Sequence, residues 1–314
     1  MSRAILATIL AVAPAALSAQ AGVVVQQKTS FNVAHVSNAD LQQTISILGT
    51  DKAKTVTTGK VKILIISSNA DGTEITRLDQ DQVIKVNDKK KEYEIKPLAE
   101  VREELAKQQK NAEKSATDAQ EKDNMRYYAV VDESKRTGKH ETINGFNTDE
   151  FSIKITIMAE NTKTKQTSPY MHLIADLWVD PSQKEAAKVL AAYAQARAKA
   201  LGMDPTMASN PYAKWLTNVQ GEMAKIEGYP IRSVMTFEAE ADSAAMASNQ
   251  QNKPSNPLGG LGGLLGKKKD PPPAAAGSGS GRPVLFTSTS EVLAISTTPP
   301  AASEFEIPAG YKKK

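Results

Sequence analysis

Three histidines, His35, His140 and His172, are all that the chain offers for imidazole chemistry, and it has no cysteine. That excludes a thiolate nucleophile, a Cys-based metal site and a thioether-linked lipid on an N-terminal cysteine. No His-x-x-x-His or His-Glu-x-x-His pair occurs, so a zinc site would have to be assembled from scattered residues, and no metal site is expected. His172 and Asp176 share a strand face but lie four residues apart, roughly 13 Å along an extended backbone, too far to hydrogen-bond. His172 is therefore expected to face solvent. There is no Gly-x-Ser-x-Gly elbow, phosphate loop or dinucleotide fingerprint, and the Gly259 to Gly266 cluster lacks both the spacing and a preceding strand. The carboxylate pairs Asp79/Asp81 and Glu238/Glu240 fall at turn or strand positions where charge is expected to be solvated. The chain is not expected to be an enzyme, and no cofactor is expected.

A more informative set is apolar. Phe151, Ile153, Ile155 and Ile157 alternate with Ser152, Lys154 and Thr156. Met171, Leu173, Ala175, Leu177 and Val179 alternate with Tyr170, His172, Asp176 and Asp180, and Ile231, Met235, Phe237 and Ala239 with Arg232, Val234, Glu238 and Glu240. A period of two puts each apolar set on one side of a strand. Phe151, Ile153, Ile155, Ile157, Leu173, Leu177, Met235 and Phe237 are thus the candidates for lining a concave face. That face is a ligand cavity if open and ordinary core if closed. Trp178, opposite Leu177, and Trp215 are expected to be packing anchors.

Elements must hold these strands in place. Gly22 to Asn32 is β-branched and polar, suiting a strand at a sheet edge, while Ser37 to Leu48 is ambiguous. Between Thr55 and Ile95, strand-like runs separated by Asn69-Ala70-Asp71-Gly72, Asp79-Gln80-Asp81 and Asn87-Asp88 predict an antiparallel meander. Residues 98–122 predict a charged helix with apolar spacing (Leu98, Val101, Leu105) only in its first half. Asn144-Gly145 between two strands is a tight-hairpin signal. Asp180-Pro181 opens a helix over 181–202, and Asn210-Pro211 opens another over 210–227 that Gly228 ends. Residues 242–282 are Gly/Pro-rich and too poor in apolar groups to offset ordering entropy, which predicts a disordered insertion. The final strand, Val284 to Thr297, is expected to pair with the strand before that insertion.

At the other end, Arg3, the apolar run Ala4 to Leu17 and Ala19-Gln20-Ala21 make a secretory leader over 1–21, cleaved near Ala21/Gly22. Its apolar run of roughly 14 residues is too short to span a bilayer, so no transmembrane anchor is expected in the mature chain. The product is expected to be periplasmic or secreted. Basic side chains number 39 against 35 acidic ones, a formal charge of +4, and one base belongs to the leader. Near-neutral charge with acids interleaved gives no reason to expect nucleic acid as a partner. Lys267-Lys268-Lys269 and Lys312-Lys313-Lys314 are local exceptions, expected to be solvated.

Several short segments now align in order: RLDQDQVIKVNDKKKEYEI (Arg77 to Ile95), ETINGFNTDEFSI (Glu141 to Ile153), LWVDP (Leu177 to Pro181), GYPIRSVMTFE (Gly228 to Glu238) and EFEIPAGYKK (Glu304 to Lys313). Together they resemble an exported bacterial family known only as a domain of unknown function, itself similar to the LolA and LolB lipoprotein carriers and the sensor RseB. The resemblance implies an α+β fold for residues 22–314 as a single LolA-like domain: a strongly curved antiparallel sheet, an incomplete barrel, with helices across its mouth. It implies a soluble periplasmic binding module for an apolar ligand such as the acyl chain of a lipid or lipoprotein. The alternative is an envelope protein-interaction or sensor domain with no small ligand.

Overall fold

The computed structural model describes residues 20–33, 37–63, 66–203, 221, 226–240 and 282–314. The elements, in chain order, are β1 (Gly22–Val33), β2 (Ser37–Leu48), β3 (Lys52–Ile63), β4 (Ile66–Asn69), β5 (Gly72–Arg77), β6 (Gln82–Asn87), β7 (Glu92–Pro97), α1 (Leu98–Asp123), β8 (Met125–Ile143), β9 (Phe146–Asn161), β10 (Thr167–Asp180), α2 (Lys184–Ala200), β11 (Tyr229–Ala239), β12 (Val284–Ser296) and β13 (Lys312–Lys313). All thirteen strands join one sheet in the order β13-β7-β6-β5-β3-β2-β1-β12-β11-β10-β9-β8, with β4 pairing the outer end of β3. Every ladder is antiparallel except β13 with β7.

The expected meander forms, and so does the expected pairing of β12 with β11, from Arg232↔Glu291 to Glu238↔Val284. Two expectations are corrected. The sheet neither closes nor curls strongly, so the strongly curved incomplete barrel does not form. Sharp bending needs bulges repeated along neighbouring strands. Register shifts among the described residues occur only in ladders of β1 and β8–β12, while the β2–β3, β3–β5, β5–β6 and β6–β7 ladders run without one. Nor is β1 an edge strand: it lies at the centre, between β2 and β12. Its polar residues are tolerated there because the facing residues of its neighbours are polar too, as in the Gln27 to Gln43 hydrogen bond of 2.9 Å.

Both helices lie against one face of the sheet. Ala186 and Tyr193 of α2 are buried with Val23, Val25, Ile47 and Ala53. Leu98, Val101 and Leu105 of α1 pack with Val83 and Leu201, so packing holds the first turns of this helix, while residues 106–111 are exposed. Asn124 in the left-handed region ends α1. Asp180 accepts a hydrogen bond from Ser182 N at 2.8 Å, as its capping role predicts, and a single 3-10 turn (Pro181–Gln183) precedes α2. On the opposite face, Phe305 is fully buried against Leu48, Ile75, Ile84 and Val86, with Ile307 and Tyr311 beside it. The helix expected over 210–227 lies almost wholly outside the described residues, with Trp215. So do the leader up to residue 19, His35, and the insertion up to residue 281.

Candidate functional site

All eight candidate apolar residues come together on the helix-bearing face of the sheet. Register places Leu177 opposite Phe151, Leu173 opposite Ile155, and Ile157 opposite Met171 on β9 and β10. On β10 and β11 it sets Phe237 opposite Leu173 and Met235 opposite Ala175. Ile153, Ile155, Leu173 and Leu177 are buried, and Phe151, Phe237 and Ile226 pack against them. Phe151, Ile157 and Phe237 are half-buried, and Met235 is 41% exposed. The set therefore divides into an inner core and a rim open to solvent.

Sequence alternation had not shown how far the apolar surface runs. Val33 stands opposite Phe286, Phe286 opposite Phe237, Phe237 opposite Leu173, Leu173 opposite Ile155, and Ile155 opposite Val131. One unbroken apolar row thus crosses β1, β12, β11, β10, β9 and β8, about 24 Å at the usual strand spacing. The rings of Phe237 and Phe286 meet edge to face with centroids 5.6 Å apart. Val33, Phe286, Phe237 and Val131 are all half-buried. Phe31 lies on the same face, opposite Ser288, itself opposite Met235. It also borders an open hollow of about 250 Å³ with Ser30, Asn32, Asn38, Ala39, Asp40, Thr287 and Thr289. The parity of Val33 and Phe286 was present in the sequence, but only the pairing of β1 with β12 reveals that they extend this row.

The other face of the same strands is mostly polar, with Glu150, Ser152, Thr156 and Glu238 buried, and two further expectations are corrected. His172 does not face solvent: its side chain is only 14% exposed. Its Nδ1 lies 3.0 Å from Thr156 Oγ1 and its Nε2 2.6 Å from Glu240 Oε2. Thr156 donates its hydroxyl proton to Asp132 at 2.6 Å, and Arg282 Nε donates to Glu240 at 2.9 Å. The partners missed from the sequence sit on neighbouring strands, within cross-strand reach. The hydroxyl–imidazole–carboxylate order matches that of a hydrolase, but the chemistry does not follow. The Thr156 proton is committed to Asp132 and the residue is buried, so its oxygen has no path to a substrate carbonyl. His172 and Arg282 hold the Glu240 carboxyl below the usual range.

The carboxylate pairs are solvated only in part: Asp81 is exposed as expected, 3.2 Å from Arg102, whereas the other three are bonded or buried. Glu238 is fully buried. Asp79 takes two hydrogen bonds of 2.8 Å from Arg77, which is itself buried and also reaches Glu306 at 2.6 Å. Those bonds hold the Asp79 carboxyl below its usual range. Trp178 lies opposite Leu177 as expected, under the Arg232 guanidinium at 5.5 Å. Arg232 in turn bonds Glu291 at 2.8 Å and Glu141 at 2.9 Å. Asn144-Gly145 makes the expected turn, with φ of 52° and 85°. Beyond that expectation, Asn144 Nδ2 donates to Glu291 and to the Val292 carbonyl, tying the hairpin tip to β12. His140 sits beside Asp149 at 2.6 Å on an exposed surface. Among the described residues no cluster of His, Asp and Glu is arranged to hold a metal ion.

No family model matches the chain, and no curated protein is significantly similar to it.

Proposed function

We propose that this chain is an exported, periplasmic binding module for an apolar ligand with an extended chain, such as an acyl group. The observation that carries this reading is the apolar row across six strands, buried at Leu173 and Ile155 and half-buried at Phe237, Phe286 and Val33, with Met235 exposed beside it. A row of this length with an open rim suits a long, flexible apolar molecule better than a compact one. Because the sheet does not curl strongly, the ligand lies along the sheet face, with α1 and α2 covering the far half of that face. This replaces the deep barrel that the resemblance to the LolA-type carriers implied, while keeping its ligand class. The leader supports export, and β1 begins at Gly22, where the mature chain is expected to start. N-terminal sequencing of the exported protein should return Gly-Val-Val-Val.

A fluorescent fatty-acid probe tests the binding reading. The full chain should bind the probe, and Met235→Lys, which sets a charge on the open rim, should weaken binding at least tenfold while leaving the unfolding midpoint within a few degrees. Ile155→Phe is the matching control for the inner core: overpacking there should cost about 1–3 kcal/mol of stability. No probe binding by the parent protein, or unchanged binding by Met235→Lys, would sink the proposal. Recovery of the native protein with a reproducible protein partner and no lipid would point instead to an envelope interaction or sensor domain.

A further inference from the structure

The sequence separates two lysine triplets that the fold brings together. Lys89, Lys90 and Lys91 form the turn between β6 and β7, while Lys312, Lys313 and Lys314 end the tail. The tail runs parallel to β7, with Lys312 opposite Glu92 and Lys313 opposite Tyr93. Lys312 N donates to the Lys91 carbonyl at 2.9 Å, and Lys314 N to the Tyr93 carbonyl at 2.9 Å. Tyr311 Oη donates to Asp88 at 2.8 Å, closing a sequence gap of 223 residues. All six lysines are exposed. Lys89 pairs with Asp71 at 2.8 Å, but none of the other five is in an ion pair among the described residues.

Six like charges at one corner repel one another, so this arrangement persists only because something else fastens the tail. The fastening is apolar and lies next door: Phe305 fully buried, with Ile307 and Tyr311 packed beside it. The carboxylates closest in the chain and register, Asp71, Asp88, Glu92 and Glu94, are fewer than the six lysines they accompany. The patch also has a chemical character. It is all lysine, with none of the planar arginine forks that grip a phosphate bidentately. Tyr93 and Tyr311 are packed into the apolar cluster and not displayed as stacking platforms for bases. Compact, hydrated ammonium groups on short backbone segments suit a diffuse field of anionic headgroups.

We propose that this corner is a docking surface for an anionic membrane, formed by the joining of the two lysine triplets. The proposal stands apart from the apolar-ligand reading and does not depend on it. Co-sedimentation of the full chain with phosphatidylglycerol–phosphatidylcholine vesicles tests it, with pure phosphatidylcholine vesicles as the comparison. Binding should require the anionic lipid and fade as salt shortens the screening length. Each lysine near such a surface is worth about fivefold in partitioning, so Lys312→Gln/Lys313→Gln/Lys314→Gln should weaken binding by at least tenfold. Lys89→Gln/Lys90→Gln/Lys91→Gln should do the same from the other segment, which guards against a local effect on the tail. Lys163→Gln/Lys165→Gln, on the turn between β9 and β10, should leave binding unchanged. Equal binding to both vesicle types, retention of binding by both triple variants, or capture of a short DNA duplex in place of vesicles would overturn the proposal.

Discussion

Replacing Phe305 by alanine should detach the C-terminal tail from the sheet. Phe305 is fully buried between Leu48, Ile75, Ile84 and Val86, each itself buried. Three of these belong to the paired strands β2, β5 and β6 and the fourth to β6 as well, so the walls are held by ladder hydrogen bonds and cannot collapse far into the void. The loss should then fall in the full range for Phe→Ala, about 3–5 kcal/mol, and not at the lower values seen where a site relaxes. For a chain of this size that corresponds to a fall of roughly 6–15 °C in the unfolding midpoint. Urea-induced unfolding followed by circular dichroism measures it, with the m-value checked for constancy so that the difference reports stability alone. Phe305→Leu, which leaves a smaller void, should be milder. A loss below about 1 kcal/mol for Phe305→Ala would refute the view that this residue fastens the tail.

Two further outcomes follow from other contacts. The Asp79 carboxyl is held below the ordinary carboxylate range by the Arg77 hydrogen bonds, so its contribution is present above about pH 4 and is lost as pH falls through the folded value. Asp79→Asn should accordingly lower stability at neutral pH and flatten the acid limb of a stability–pH profile, and an unchanged acid limb would contradict this. Deleting residues 252–279 should change stability by about 1 kcal/mol or less, since loop length enters closure entropy only logarithmically and the flanking strands pair directly at Glu238↔Val284. A loss of several kcal/mol on thermal unfolding would show that the segment packs.

Alternation and turn chemistry went a long way on this chain because most of its strands have one apolar side. Residues 151–157, 171–179 and 231–239 declared their faces, and the register then brought all eight candidates to one surface. A helix start was readable where capping chemistry is local, at Asp180, and the charged helix expected over 98–122 forms as Leu98–Asp123. What failed depended on neighbours far away in sequence. The place of β1 could not be read because polarity on a strand reports the polarity of what faces it as well as exposure. His172 looked solvated because its partners, Thr156 on β9 and Glu240 just past the end of β11, are distant in sequence. Curvature was inherited from a resemblance and not from residues, and the bulges that would produce it fall in only half the sheet. The joining of the lysine triplets rests on Phe305, a single aromatic whose sequence surroundings do not indicate where it docks.

The central position of β1 also sets an order of events. Its partner β2 follows at once, but its other partner, β12, arrives last but one, and the side chains of Thr29 and Ser290 meet across 261 residues. A chain emerging from its N-terminus can assemble β1 through β7 early and β8 through β11 as a second unit. The two halves have no shared ladder until β12 slides between β1 and β11. Until then the apolar row is cut in two, and both raw edges are open to mispairing. Joining the two halves therefore waits on the pairing of β1 with β12, a contact of high sequence separation whose loop-closure entropy must be met before the ladder can form.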